Sequence, residues 1–219
     1  MVRLIDCSHE IVDGMTTYPG LPAPAITTHL SREDTAARMA PGVSFQIGRI
    51  DMVANTGTYI DSPWHFHAGG PDLAALDLRR IADLPALVVH VPGVEGEIGH
   101  DRIPEGPLEG HAVLFHTGWD RHWRTEQYGA AAPYIPLEVV ETLVEHSVAL
   151  VGIDSVNIDS IADLTRPAHS RLLGAGITIV EHLTNLADLP ERGARFFAVP
   201  PKVHGFGTFP VRAFAMIAS

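Results

Sequence analysis

Apolar residues in this chain gather in short runs, and such runs predict strands more often than helices. Residues 2–6 read as a first strand. Positions 44–53 alternate loosely, with Phe45, Ile47, Ile50 and Val53 apolar, which predicts another. Continuous apolar runs at 86–91, 112–115, 148–153 and 177–180 read as buried strands, and 196–199 and 211–217 close the chain. Helical spacing is clearest at 136–147, where Leu137, Val140, Leu143 and Val144 fall on one face and Pro136 suits the first turn. A short helix capped by Asp72 and carrying Leu73, Leu76 and Leu78 is expected, ended by Leu84-Pro85. A second is expected over 165–173, stopped by Gly174 and Gly176. Between these, Tyr18 to Pro24 is stiffened by proline, 28–42 reads as a surface loop or flap, and 92–110 is rich in Gly and Pro. With no internal repeat and no dividing linker, the reading is one α/β domain with a mixed sheet over 1–219.

Composition narrows the function. The 219 residues, 46% of them hydrophobic, suffice for a substantial core. A net charge of -11 offers no basic stripe for a phosphate backbone, so nucleic acid is not an expected partner. No apolar run is long enough for a membrane span, and no basic-then-apolar leader opens the chain. The single cysteine, Cys7, excludes an internal disulfide framework and fits the cytoplasm. Thirteen histidines, spread along the chain, are the unusual feature.

The densest chemistry lies in Asn55-Thr56-Gly57-Thr58-Tyr59-Ile60-Asp61-Ser62-Pro63-Trp64-His65-Phe66-His67. Gly57 permits a turn, Pro63 stiffens the exit, and Asp61 and His65 are held close. That spacing suits a metal site or an acid–base pair; a polar turn with a capping Asp explains it equally well. Polar residues also collect where other apolar runs end: His116, Asp154, and Glu181 with His182. A carboxylate with imidazoles would favour Zn2+ or Mn2+. His169 alone reads as a surface or cap residue, whereas Glu181, ending an apolar strand, needs a partner. Trp64, Phe66 and Trp119 could line an aromatic pocket or belong to the core. Gly-x-Ser-x-Gly, His-Glu-x-x-His and Walker-type patterns are absent.

Gly57-Thr58-x-x-Asp61-x-Pro63-x-His65-Phe66 resembles the signature His-x-Gly-Thr-His-x-Asp-x-Pro-x-His of the metal-dependent cyclase/hydrolase family, to which bacterial kynurenine formamidase and isatin hydrolase belong. The likeness continues through Asp6 to Glu10, Tyr18-Pro19-Gly20, Leu150 to Asp154 with Ile158-Asp159, Ala168-His169 to Leu173, Ile179 to Leu183, and Pro210 to Ala213. The resemblance implies a swivelling β/β/α fold, a small-molecule substrate and a homo-oligomer, dimer or tetramer. It implies Asp61, His169 and Glu181 as ligands of a divalent ion, and His65 as the acid–base residue. Two signature histidines are replaced, by Asn55 and Tyr59.

Three readings follow. In one, a single Zn2+ or Mn2+ on Asp61, His169 and Glu181, with Tyr59 or water completing the shell, activates water to cleave an amide, lactam or lactone, and His65 moves the proton. In another, His65 and Glu181 act without metal, with Tyr59 and Asn55 donating to an oxyanion in a cyclisation, dehydration or isomerisation. The third is a binding protein that kept the pocket and lost its ions.

Overall fold

The most uninterrupted apolar runs become the centre of a sheet, because only there is a strand covered on both faces. In the computed structural model, which describes residues 1–218, the strands are, in chain order, β1 (Val2–Asp6), β2 (Ala25–Leu30), β3 (Ile47–Asp51), β4 (Tyr59–Asp61), β5 (Leu84–His90), β6 (Ala112–His116), β7 (Leu150–Ile153), β8 (Thr178–Glu181), β9 (Arg192–Phe197), β10 (Thr208–Pro210) and β11 (Phe214–Ala218). The α-helices are α1 (Arg32–Ala36), α2 (Leu137–Glu145) and α3 (Pro167–Gly174). A mixed sheet runs in the order β1-β11-β9-β5-β6-β7-β8-β4-β10. Its middle, β5 to β8, is parallel, and the flanks are antiparallel.

Alternation divides each central strand between two cores. Leu87, Val113, Val151 and Ile179 face α2 and α3, which contribute Val140, Leu143, Ala168 and Leu172. Val88, Leu114, Val180 and Ile60 face the other way, toward Leu73, Ile81, Leu186 and Phe196. Each such side chain contributes about 1.5–3 kcal/mol relative to exposure, which is why the most apolar runs take the middle. Both helices cross over on one face because each joins neighbouring parallel strands, β6 to β7 and β7 to β8.

Several expectations need correction. The helix expected at 136–147 is α2, but Leu137 is exposed and Val139 is buried in its place. Segment 28–42 is not wholly a loop: β2 reaches Leu30, and α1 follows a capping box in which the Ser31 hydroxyl and the Asp34 carboxylate serve each other's backbone N–H. The 44–53 strand exists as β3, yet it pairs only with β2 in a separate ribbon whose apolar side chains face outward. Asp72 caps a turn rather than a helix, accepting from the Ala75 and Gly205 amides. Leu84 and Pro85 begin β5 instead of ending a helix, and Pro85 is tolerated beside a bulge in the pairing with β9. The final strand starts at Phe214, and Thr208–Pro210 forms a short strand of its own.

A tight approach fixes the signature segment. The Ser62 amide donates to the Gly207 carbonyl at 2.7 Å. A Cβ on Gly207 would lie 2.6 Å from Cα and 2.8 Å from N of His65. Those neighbours are backbone and cannot swing aside. Gly207→Ala should therefore cost about 1–3 kcal/mol by overpacking, lowering Tm by roughly 2–4 °C per kcal/mol in a chain of this size. An unchanged melting curve would refute this packing.

Candidate active site

Strand register assembles the site. β4 lies antiparallel between β8 and β10, placing Tyr59 opposite Glu181 and Asp61 opposite Thr208. Side chains alternate along a strand, so Tyr59 and Asp61 share one face while Ile60 enters the core behind them. α3 crosses that same face and brings in His169. The His169 Nε2 lies 3.6 Å from Asp61 Oδ2 and 3.5 Å from Glu181 Oε1. The three side chains are nearly sealed, at 0%, 4% and 1% exposure for Asp61, His169 and Glu181.

Surrounding groups orient them. Asp159 accepts the His169 Nδ1 proton at 2.6 Å and the amides of Ala168 and His169 at the start of α3. This leaves Nε2 directed at the two carboxylates. Glu181 Oε1 accepts the Ile158 amide at 2.7 Å, and Asp61 Oδ1 accepts the Thr208 hydroxyl at 2.5 Å. Among the described residues, Asp61 Oδ2 is buried with no hydrogen-bond partner. Burial works against charge on His169, yet Glu181, Asp159 and Asp61 hold its pKa up at about 10. Burial pushes Glu181 up to about 7, with the His169 charge acting in the opposite direction. Burial also opposes ionisation of Asp61, but His169, His65 and Thr208 together hold it below the usual carboxylate range.

The cluster is thus built around a positive centre. One atom from each of Asp61, His169 and Glu181 lies within 4.8 Å of the others, so the group could hold a metal ion. The donor set, one imidazole nitrogen and carboxylate oxygens, fits a divalent ion with further positions open to water or substrate. The unpartnered Asp61 Oδ2 is the acceptor that such an ion would satisfy.

Tyr59 is engaged from two sides. Its hydroxyl donates to Glu181 Oε2 at 2.6 Å. Burial first, and then the Glu181 and Asp61 charges, push its pKa well above the ordinary phenol value. Behind it, His182 is buried and lowered to about 3, chiefly by burial. Its Nε2 lies 3.3 Å from the Tyr59 hydroxyl and its Nδ1 2.8 Å from the Tyr128 hydroxyl. Because Tyr59 gives its proton to Glu181, it must accept from His182, whose Nδ1 then accepts from Tyr128. The phenol is therefore a fixed neutral donor.

His65 ends a 3-10 turn, Pro63–His65, at the mouth of the site, with Nε2 3.9 Å from Asp61 Oδ1 and its side chain 30% exposed. Phe66 stacks on His169 with ring centroids 5.0 Å apart. A cavity of about 270 Å³ opens above, with His65, Tyr59, His169 and Glu181 in its wall and Asn55 beside them. Phe66 and Leu21 supply apolar surface, and Tyr18, Asn157 and Arg166 the polar side.

Other strand-end residues lie elsewhere. His116 meets His90 at the surface, Nδ1 to Nδ1 2.9 Å. Asp154 is held by the Thr117 amide and hydroxyl and the Gly118 amide, and His67 bonds the Ser170 carbonyl. Trp119 is a core residue donating to the Tyr128 carbonyl, and Trp64 is exposed outside the cavity. Cys7 is buried, its thiol pushed up to about 12 mainly by burial. Sequence alone leaves Asp159, Thr208 and Arg166 without a role and offers Tyr128, with Trp119 and Trp123, only as aromatic lining or core. Asp159 stood within a quoted motif, but nothing in spacing ties it to His169.

A sheet-borne, buried Asp–His–Glu group beneath a small cavity is a site that could hold a metal ion beside a small molecule. The chain belongs to the cyclase family, whose model, Cyclase, matches residues 5–160. It is 32% identical over 205 residues to kynurenine formamidase of Erythrobacter litoralis, covering 92% of this chain and 88% of that protein. A solved structure described as a potential metal-dependent hydrolase with cyclase activity superposes with a TM-score of 0.81 at 26% identity, over the full length of both chains. Isatin hydrolase A from Labrenzia aggregata shares the fold, with a TM-score of 0.83 at 22% identity, covering 100% of this chain and 94% of that one.

Asp159→Asn should lower the affinity of this group for a divalent metal ion about 10- to 100-fold by releasing the imidazole from its orientation. Competition against a chromophoric chelator measures this. Equal affinity would reduce Asp159 to a cap on α3.

Proposed function

We propose that this chain is a metal-dependent hydrolase of a small cyclic or aromatic amide, lactam or lactone, with Asp61, His169 and Glu181 holding Zn2+ or Mn2+. The observation that carries it is the sealed Asp–His–Glu group with the Asp61 Oδ2 acceptor left unpartnered. Kinship with proteins named kynurenine formamidase and isatin hydrolase supports cleavage of a C–N bond in a ring-bearing compound. Asp61, His169 and Glu181 would hold a divalent ion whose chemistry there would be Lewis acidity toward a carbonyl and acidification of a water. His65, at the mouth and beside Asp61, hands a proton to the leaving group. The Tyr59 phenol holds one oxygen of Glu181 and keeps that carboxylate in a single orientation. Phe66 and Leu21 offer apolar surface to the ring from the cavity wall.

A metal-independent reading, with His65 and Glu181 as acid and base beside Tyr59 and Asn55, has one specific support: Glu181 is pushed up to about 7, within the working range of a general acid. Elemental analysis of protein purified without chelator separates the two readings. About one Zn2+ or Mn2+ per chain, with formamide or lactone cleavage lost on chelation and restored by metal, is expected on the first reading. Full turnover by metal-free protein would favour the second. His65→Ala should lower kcat about 10²- to 10⁴-fold while metal content holds, and an active variant would sink both. Binding of cyclic amides without turnover would instead mark a binding protein.

The proposed working form is a homo-oligomer, dimer or tetramer, of a single cyclase-like domain. The β2–β3 ribbon supports it: Ile26, Ile47 and Ile50 are exposed at 39%, 45% and 54% on a two-stranded element that is marginal unless covered, and Phe45 just before β3 is exposed at 39%. Light scattering should find more than one copy, and Ile47→Lys with Ile50→Lys should shift it toward the monomer. A wild-type monomer at micromolar concentration would overturn this. Among the described residues no helix is long and apolar enough to cross a membrane. The inert thiol of Cys7 is compatible with work in the cytoplasm.

A further inference from the structure

The cavity carries a cation that, among the described residues, is paired with no carboxylate. Arg166 lines the same space as His169 and Glu181, three positions before His169 at the entry to α3. Its guanidinium is held by neutral acceptors: Asn157 Oδ1 at 3.3 Å, the Ser160 carbonyl at 3.1 Å and the Tyr18 hydroxyl at 3.2 Å. Among the described residues it forms no ion pair. Asp163, which feels its charge, turns its own carboxylate to the amide and hydroxyl of Thr165. These bonds orient the guanidinium without exhausting its donors.

The backbone is also unusual here. Arg166 adopts φ 48°, ψ 58°, a left-handed conformation that non-glycine residues rarely take, and it does so immediately before Pro167. Strain of this kind persists only where the surroundings enforce it. What it achieves is to start α3 while turning a long cationic side chain toward the cavity.

Charge makes the position informative. The chain carries -11 overall, and Glu181 stands in the cavity wall, so an anionic molecule is repelled over most of the approach. A half-buried guanidinium in the cavity wall is the group that reverses this locally, and its planar fork matches a carboxylate. In the same wall, Phe66 and Leu21 offer apolar surface to a ring.

We propose that Arg166 anchors a carboxylate carried by the substrate, so that the preferred amide or ester is a small anion with its charged group across the cavity from Asp61, His169 and Glu181. The inference rests on the hydrolase reading above for turnover, but not for binding.

Two matched formamides test it: 2-formamidobenzoate and its neutral isostere, 2-formamidoacetophenone. The quantity read is the ratio of their kcat/KM values with metal-loaded protein, alongside their calorimetric affinities. Wild type should favour the carboxylate, and Arg166→Gln should collapse that preference about 10- to 100-fold, the range of one charge-assisted pair. Arg166→Lys should retain part of it, having charge without the fork. Equal losses on both probes in Arg166→Gln, with the ratio unchanged, would show that Arg166 only braces the loop before α3 and would overturn the proposal. If neither probe is cleaved, the hydrolase reading fails for formamides while the anchor is still judged by calorimetry. Wild type binding the carboxylate no more tightly than the ketone would then overturn it.

Discussion

The antiparallel pairing of β4 with β8 is the constraint on which this site depends. A strand of three residues has little stability alone. Between β8 and β10 it gains a ladder on each edge, and its register decides that Tyr59 meets Glu181 while Asp61 meets Thr208. A slip of one residue would send both Tyr59 and Asp61 into the opposite core and bring Ile60 to the surface of the site. Ile60, fully buried among Val180 and Leu114, opposes that slip. The packing of one isoleucine thus secures the placement of two polar side chains.

Around that frame, electrostatics rather than space governs what the site accepts. Three carboxylates surround the single imidazole of His169, and none is open to solvent. Such a cluster is costly unless a positive centre shares it. Asp159 fixes which imidazole nitrogen is presented, and the Ile158 amide and Tyr59 hydroxyl occupy the two oxygens of Glu181. Tyr59, where the family signature has histidine, therefore changes the site from within: a neutral donor stands where a nitrogen ligand would. His182 and Tyr128 support that donor from behind, forming a buried polar chain with each member satisfied.

The outer parts of the molecule follow different physics. The β2–β3 ribbon places apolar side chains outward because it has no second sheet to face, and the capping box of Ser31 and Asp34 secures its turn locally. Arg166 likewise owes its place to a strained local backbone held by Asn157, Ser160 and Tyr18.

The sequence by itself determined the central sheet and its two crossover helices. Runs buried on both faces must be apolar throughout, and that uniformity is visible in one dimension, as at 86–89, 112–115 and 148–153. It also singled out Asp61, His169 and Glu181 through the family resemblance, and the fold brings one donor atom of each within 4.8 Å of the others. Only the tertiary structure decided what surrounds them. Asp159 reaches His169 across a turn, Thr208 reaches Asp61 from the other end of the chain, and Tyr128 reaches His182 over a sequence gap without pattern. The same limit explains β3, whose alternation is identical whether its apolar side meets a core or solvent. Periodicity reports which residues share a face; what that face meets is settled by the topology of the sheet.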